Sequence, residues 1–98
     1  MNLEFEWDEL KNMTNTAKHG VSFIDAIMVF SDPKRVEIYD LRHSIIEERW
    51  TSIGFAGLVM YTVIHTERDG KIRIISARKS DIKEQEVYFN GNGTIYSN

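Results

Sequence analysis

Three histidines are the side chains in this sequence best suited to proton transfer near neutral pH: His19, His43 and His65. His65 is the most informative, because it closes an apolar run and precedes a turn that contains Glu67 and Arg68. Bonding to nearby backbone is an alternative role for His65, and His19 also fits a helix C-terminal cap. The histidine spacing matches no metal motif and cysteine is absent, so we expect no metal and no cofactor.

Basic residues are concentrated between His65 and Lys83. This segment holds six basic and three acidic residues, whereas the whole chain has a formal net charge of -3. The overall charge argues against a general nucleic-acid binder. The local excess fits either a phosphate-binding surface or a solvated hairpin face. Arg, Lys, His, Glu and Tyr side chains can together cleave RNA without a metal, because they supply a proton acceptor, cations and a proton donor.

The sequence lacks the motifs of several common enzyme classes. It has no glycine-rich phosphate loop and no nucleophile elbow, which argues against nucleotide-dependent and acyl-transfer enzymes. No apolar run is near the roughly 20 residues that span a bilayer. The first nine residues carry four acids and no base, unlike a signal peptide. Together with the absence of cysteine, these features predict a cytoplasmic protein with no membrane association.

Two helices are expected in the first third of the chain. Asp8 can cap a helix that ends at Gly20, where glycine tolerates a left-handed conformation. The apolar positions of this helix recur at spacings of three and four: Leu10, Met13 and Ala17. Ser22 can cap a second helix, and Pro33 cannot continue it.

Strands are expected over most of the remaining chain. Residues 58–64 are apolar on both faces, as in a buried central strand. Asp69-Gly70 is a strong signal for a tight hairpin turn. A strand follows from Ile72 to about Ala77, and Ser80 is expected to cap a last helix that runs to Tyr88.

This order of elements predicts an α+β fold. We expect two N-terminal helices packed on one face of a twisted antiparallel sheet, with a short C-terminal helix. Residues 1–89 form the expected single domain. Residues 90–98 begin with alternating asparagine and glycine and are expected to be a flexible tail.

Several short strings of residues, spread over most of the chain, together form a family-like pattern. They are Phe5-Glu6-Trp7-Asp8, Lys11, Asn15, Lys18-His19-Gly20-Val21-Ser22-Phe23, Ala26, Val29-Phe30, Asp32-Pro33, Glu47-Glu48-Arg49-Trp50, Ile53-Gly54, His65-Thr66-Glu67-Arg68 and Ile72-Arg73-Ile74-Ile75-Ser76-Ala77-Arg78. In order and spacing they resemble the BrnT family of bacterial ribonuclease toxins. The resemblance covers roughly residues 5 to 88. Thr14, Thr16 and Ala17 depart from the family pattern, as does the segment after Phe89.

The resemblance implies a RelE-like fold and an endoribonuclease that cleaves RNA and inhibits translation. It also implies neutralisation by a BrnA-like antitoxin in a hetero-oligomeric complex, with DNA bound only through the antitoxin. The alternative is a non-catalytic RelE-like module that serves mainly as an antitoxin partner or co-repressor. A DNA-binding regulator acting alone is disfavoured by the acidic balance and the lack of a helix-turn-helix pattern.

A catalytic group is expected around the Asp69-Gly70 hairpin. Its expected members are His65, Glu67, Arg68 and Arg78, brought near one edge of the sheet by the hairpin. His65 or Glu67 would accept the proton of the 2′-hydroxyl, and the two arginines would hold the phosphate. Five residues are expected to bind RNA or to support the site: Lys11, Lys18, Arg73, Lys79 and Tyr88. Within this set, Tyr88 is a candidate to stack a base or donate a proton.

Overall fold

The computed structural model describes residues 3–41, 46–91 and 94–97. Six strands form one sheet in the order β1-β5-β4-β3-β2-β6. The strands are β1 (Phe5–Glu6), β2 (Val36–Asp40), β3 (Trp50–Ala56), β4 (Val59–Arg68), β5 (Lys71–Lys79) and β6 (Thr94–Ser97). The helices are α1 (Glu9–His19), α2 (Phe23–Ala26) and α3 (Ile82–Phe89), and a 3-10 helix (Ile27–Ser31) follows α2. The fold is therefore α+β.

The expectation of a purely antiparallel sheet is wrong at both edges. The pairs β2–β3, β3–β4 and β4–β5 are antiparallel, whereas β1 pairs in parallel with β5 and β2 pairs in parallel with β6. Parallel neighbours need a long connection rather than a hairpin, and both parallel pairs here join strands that are far apart in sequence. The sheet is mixed.

Local signals place the ends of α1 correctly. The Asp8 carboxylate accepts hydrogen bonds from the Leu10 and Lys11 amides, and Gly20 ends the helix with φ of 71°. Ser22 caps α2 as expected, but only one turn is α-helical before the chain tightens into the 3-10 helix. The second predicted helix is thus shorter and less regular than expected.

The C-terminal part also differs from the sequence-based expectation. Asp81, rather than Ser80, caps α3, and it forms a capping box with Glu84. Residues Thr94–Ser97 of the segment expected to be a flexible tail form β6 beside β2. Residues 92, 93 and 98 of that segment lie outside the described residues.

The two faces of the sheet bury different side chains. On the first face, α2 and the 3-10 helix supply Phe23, Ala26 and Val29, which form a core with Val63 and Ile74. The second face, marked by Ile53, Thr62 and Thr66, is partly covered by α3. Because successive side chains of a strand point to opposite faces, the face of any strand residue follows from the face of the residue next to it in sequence.

A bulge in β5 interrupts this alternation. The pairing of β4 with β5 shifts between Ile64 and His65, and Ile75 is left without a Cα partner. Ile74 and Ala77 are consequently both buried in the first-face core although they are three residues apart. The simple alternation of side chains along β5 therefore ends at the bulge.

Helix α1 packs with polar residues inward. Asn15 is 7% exposed, whereas Leu10 and Met13 are 73% and 62% exposed. The Asn15 side chain lies beside β5, where its Oδ1 accepts from the Ala77 amide at 3.1 Å and its Nδ2 donates to the Ala77 carbonyl at 2.8 Å. Asn12 Oδ1 accepts from the Phe23 amide at 2.9 Å. The apolar residues that identify the helix in the sequence therefore do not hold it to the sheet.

Candidate functional site

The β4–β5 register separates the expected catalytic residues. Arg68 is opposite Lys71 beside the hairpin turn, whereas Arg78 is opposite Thr62. Six positions along β4 correspond to about 20 Å at roughly 3.4 Å per residue. In an antiparallel hairpin the end of the second strand lies beside the start of the first, far from the turn. The expected juxtaposition of Arg78 with Arg68 and His65 is therefore wrong.

His65 is a buried residue on the first face. Its side chain contacts the Phe30 ring with centroids 4.9 Å apart, and its Nε2 lies 2.7 Å from Ser52 Oγ. Burial, and then the charge of Arg35, lower the pKa of His65 to about 4. His65 is thus neutral at pH 7, but only 6% of the residue is exposed. This environment suits a structural histidine, although its hydrogen-bond partner is the Ser52 side chain rather than the nearby backbone that the alternative role predicted.

Glu67 and Arg68 point to opposite faces. Glu67 shares the first face with Val63 and His65 by alternation along β4, and it is exposed near the hairpin turn. Arg68 lies on the second face with Thr62 and Thr66. The two candidate proton acceptors therefore lie across the sheet from the arginine expected to hold phosphate.

Three arginines occupy the second face of β4 and β5. Arg73 lies between the first-face residues Ile72 and Ile74, and Arg78 follows the first-face residue Ala77. Arg73 is opposite Thr66, two positions from Arg68, so Arg68 and Arg73 are diagonal neighbours with backbones about 7–8 Å apart. Arg68 and Arg73 thus form a diagonal pair of guanidinium groups beside Lys71, which is directly opposite Arg68, and Arg78 stands apart from them.

Each of these arginines contacts a glutamate from another element. Arg68 lies 3.2 Å from Glu47, and Arg73 lies 2.9 Å from Glu6. Arg78 makes two hydrogen bonds to Glu84 in α3, at 2.6 and 2.7 Å, and this contact raises the pKa of Arg78. The second face thus alternates guanidinium groups with carboxylates, an arrangement in which cations and proton acceptors are already adjacent.

The lysines of α1 line a separate groove. It has a volume of about 320 Å³ and runs between α1 and β5. Its lining residues are Leu10, Lys11, Thr14, Asn15, Lys18, His19, Ile75 and Ser76. Lys79 is exposed at the end of β5. The structure thus brings Lys11 and Lys18 together with His19, but at the edge of β5 rather than at the hairpin turn.

A family comparison agrees with the sequence pattern. The family model of BrnT, described as the ribonuclease toxin of type II toxin-antitoxin systems, matches residues 7–84. The chain belongs to the BrnT family. No curated protein matches it. The matched region contains both members of the pairs Arg68–Glu47 and Arg78–Glu84. It also contains Arg73, but the partner of Arg73, Glu6, lies just before it.

In this BrnT-family chain, Tyr88 contacts Asp32 and Phe55 rather than Arg68 or Arg73. Its hydroxyl donates to Asp32 Oδ2 at 2.7 Å, and its ring contacts Phe55 with centroids 5.3 Å apart. Burial, and then the bond to Asp32, raise the pKa of Tyr88 to about 12. Asp32 Oδ2 also accepts from the Phe55 amide at 2.9 Å. Tyr88 therefore joins α3 to the loop after the 3-10 helix and to β3.

Burial and hydrogen bonding have opposite effects on the pKa of Asp32. Burial alone would raise the pKa of Asp32, but the bonds from the Phe55 amide, Tyr88 and the Lys34 amide outweigh it, so the pKa is lowered. Asp32 is consequently an ionised acceptor at neutral pH. An ionised carboxylate suits this position, because it accepts hydrogen bonds from both the Tyr88 hydroxyl and the Phe55 amide.

The glutamate partners are the site residues that the sequence-based group omits. Glu6 and Glu47 do occur in the strings that carry the family resemblance, and Glu84 has the spacing of a capping box with Asp81. Their pairing with arginine depends on strand register and on the placement of α3. The sequence could therefore have nominated these glutamates but not their partners.

Among residues 3–41, 46–91 and 94–97, no three His, Asp or Glu side chains are grouped so that they could hold a metal ion. In the same ranges, no helix combines the length and apolar character needed to cross a membrane. His43, one of the three candidate histidines, lies outside the described residues.

Proposed function

We propose that this chain is a metal-independent endoribonuclease with a RelE-like architecture that cleaves RNA and thereby inhibits translation. Membership of a ribonuclease toxin family supports this activity. The observation that carries the proposal is the diagonal pair Arg68 and Arg73 on the second face, with Glu47 and Glu6 in contact with them. Planar guanidinium groups bind phosphate oxygens in pairs and stay charged throughout a reaction.

In this proposal, phosphate replaces the carboxylates at Arg68 and Arg73. Glu47, released from Arg68, accepts the proton of the 2′-hydroxyl while the 2′-oxygen forms a bond to phosphorus. The bond from phosphorus to the 5′-oxygen breaks, and that oxygen takes a proton from water. The hydroxide formed takes the proton from Glu47, so the base is restored and the products are a 2′,3′-cyclic phosphate and a free 5′-hydroxyl. The arginines stabilise the extra negative charge on the phosphate oxygens as the new bond forms.

Glu47 is preferred to the two acceptors expected from the sequence for a geometric reason. A general base must lie within hydrogen-bond reach of the proton that it removes. His65 is buried among first-face residues, and Glu67 lies on that face as well. Glu67 stays an exposed alternative at the hairpin turn, and the same assay distinguishes it from Glu47.

Lysines are assigned a supporting role. Lys11 and Lys18 line the groove beside β5, and Lys79 ends that strand. We expect these lysines to contact RNA phosphates outside the cleaved bond, since such contacts position a nucleic acid without reading its sequence. Arg78 is held by two bonds to Glu84, which suits the positioning of α3 better than phosphate binding.

The type II family implies an antitoxin partner. We propose a BrnA-like protein, bound in a cytoplasmic hetero-oligomer that contacts DNA only through the antitoxin. A second candidate function is a non-catalytic module that binds this partner. The observation in its favour is that Arg68, Arg73 and Arg78 each contact a carboxylate, so RNA must compete with these glutamates for the guanidinium groups.

Incubation of the purified, partner-free chain with RNA in EDTA tests the proposal. The expected products end in a 2′,3′-cyclic phosphate and a free 5′-hydroxyl. Lys34→Ala provides a control for loss of an exposed cation away from the pair. Absence of cleavage by the folded parent chain, combined with tight binding of the antitoxin, would establish the non-catalytic module instead.

A further inference from the structure

Helix α1 carries an apolar stripe on its solvent side. Leu10 and Met13 are 73% and 62% exposed, and Ala17, one helical turn further, is exposed too. Spacings of three and four place these residues on one helix face. We call Leu10, Met13 and Ala17 the α1 stripe. Its pattern is that of an amphipathic helix that covers a core, but none of its three residues belongs to the core that the described residues form.

The orientation of α1 is fixed by its opposite face. Asn15 bonds to both backbone groups of Ala77 and to the Val21 carbonyl, and Asn12 accepts from the Phe23 amide. Rotation of the helix to bury the α1 stripe would break these bonds and leave buried backbone groups without partners, which is costly. The bonds of Asn12 and Asn15 therefore keep the α1 stripe out of the core that the described residues form.

We propose that the α1 stripe is the docking surface for an amphipathic helix of the antitoxin, an inference that rests on the proposed partner. Lys11 and Lys18, seven residues apart, lie together on one flank of the stripe. The matching helix presents apolar residues at spacings of three and four, with acidic residues on the flank that meets these lysines. Such a helix also covers the groove between α1 and β5 and so competes with RNA for its lysines.

Charge favours this occupant over a second copy of the chain. If two α1 helices packed antiparallel through their stripes, the flank with Lys11 and Lys18 would meet the same flank of the other copy. Like charges in that position repel, whereas an acidic helix of a different protein attracts. A protein antitoxin is also the partner class that the type II family implies.

The experiment compares single substitutions in the complete chain. Leu10→Glu and Met13→Glu place a charge in the α1 stripe, and glutamate keeps the helix propensity high. Ile82→Glu is the matched control, because Ile82 is 73% exposed on α3, as Leu10 is on α1. The probe is the antitoxin encoded beside this chain's own gene, with affinity measured by titration calorimetry and folding checked by circular dichroism.

We expect Leu10→Glu and Met13→Glu each to weaken antitoxin binding by about tenfold or more, and Ile82→Glu by less than about twofold. Parent-like affinity of both stripe variants overturns the docking surface while leaving the partner intact. Failure of the parent chain to bind this antitoxin overturns the proposed partner and the docking surface together. If light scattering shows that the chain alone is a dimer and that Met13→Glu makes it a monomer, the occupant is a second copy.

Discussion

The imidazole of His65 and the hydroxyl of Ser52 form a buried contact of 2.7 Å across β3 and β4. Both residues are enclosed, at 6% and 0% exposure. A serine and a histidine at hydrogen-bond distance can act together as a nucleophile, but this pair is buried and so cannot reach a substrate. We therefore expect the buried His65 to affect stability, because burial favours the neutral imidazole over the protonated one.

Acidification is expected to destabilise the chain through His65. The unfolded histidine binds a proton below its ordinary pKa of 6.5, whereas the folded one binds it only near 4. The stabilisation is therefore complete above pH 6.5 and is lost as the pH falls towards 4, by about 3 kcal/mol at most. Urea unfolding at several pH values in this window measures the loss. His65→Gln should flatten the pH dependence, and an unchanged slope in that variant would contradict the assignment.

Asn15 is expected to contribute strongly to stability. β1 pairs with β5 only at Ile72 and Arg73, and the Asn15 amide takes the place of a strand neighbour at Ala77. Asn15→Ala leaves buried backbone groups of Ala77 and Val21 without this partner, so the free energy of unfolding should fall by about 3 kcal/mol. Thr16→Ala, at an exposed position of the same helix, is the control and should cost less than about 1 kcal/mol. Equal losses in the two variants would show that the Asn15 contacts are unimportant.

Short-range signals correctly predicted both ends of α1 and the hairpin turn, but they placed the cap of α3 at Ser80 instead of Asp81. The Asp8 cap and the Gly20 helix end depend on residues within one or two turns, and Asp69-Gly70 forms the expected turn with φ of 54° and 77°. The parallel pairing of β1 and the contacts of Asn15 with Ala77 join distant parts of the chain, which periodicity cannot reveal. The inward face of α1 was hidden for a related reason: its asparagines bond to backbone, so polarity does not indicate exposure there.

The site was only partly predictable for the same reason. Basic residues of the hairpin pointed to β4 and β5, but their glutamate partners come from β1, the segment before β3, and α3. The placement of Arg78 was a different kind of error. Antiparallel geometry alone puts the end of β5 beside the start of β4, so the separation of Arg78 from the turn followed from the predicted hairpin itself.

Removal of the Tyr88 hydroxyl is expected to change stability rather than RNA cleavage. Tyr88→Phe loses the bond to Asp32, which still accepts from the Phe55 amide. The free energy of unfolding should fall by about 1 kcal/mol. Cleavage by the folded variant should stay within about twofold of the parent, because Tyr88 lies beside Asp32 and Phe55 rather than beside Arg68 and Arg73. A rate loss of 10²-fold would restore Tyr88 as a proton donor or base-stacking residue.

The arginine pair is expected to carry RNA cleavage. Arg68→Ala and Arg73→Ala should each lower the cleavage rate by roughly 10²-fold, as loss of one preorganised donor does elsewhere. Arg78→Ala should instead loosen α3, because Arg78 contacts Glu84 and lies about 20 Å along the strand from the turn. Single-turnover rates in EDTA, with Lys34→Ala as the surface-charge control, measure these effects on variants shown to be folded.

Glutamine substitutions distinguish the proton acceptors in the same assay. Glu47→Gln keeps the size of the side chain but removes its basicity, so cleavage should fall by about 10²-fold or more. Glu67→Gln should have less than about a threefold effect if the second face carries the reaction, since Glu67 lies on the first face. The reverse result, with Glu67→Gln slow and Glu47→Gln fast, would move the base to the first face at the hairpin turn. Parent-like rates for the folded double variant of Arg68 and Arg73 would show that another cationic surface holds the phosphate, and the groove with Lys11 and Lys18 would then be the next surface to test.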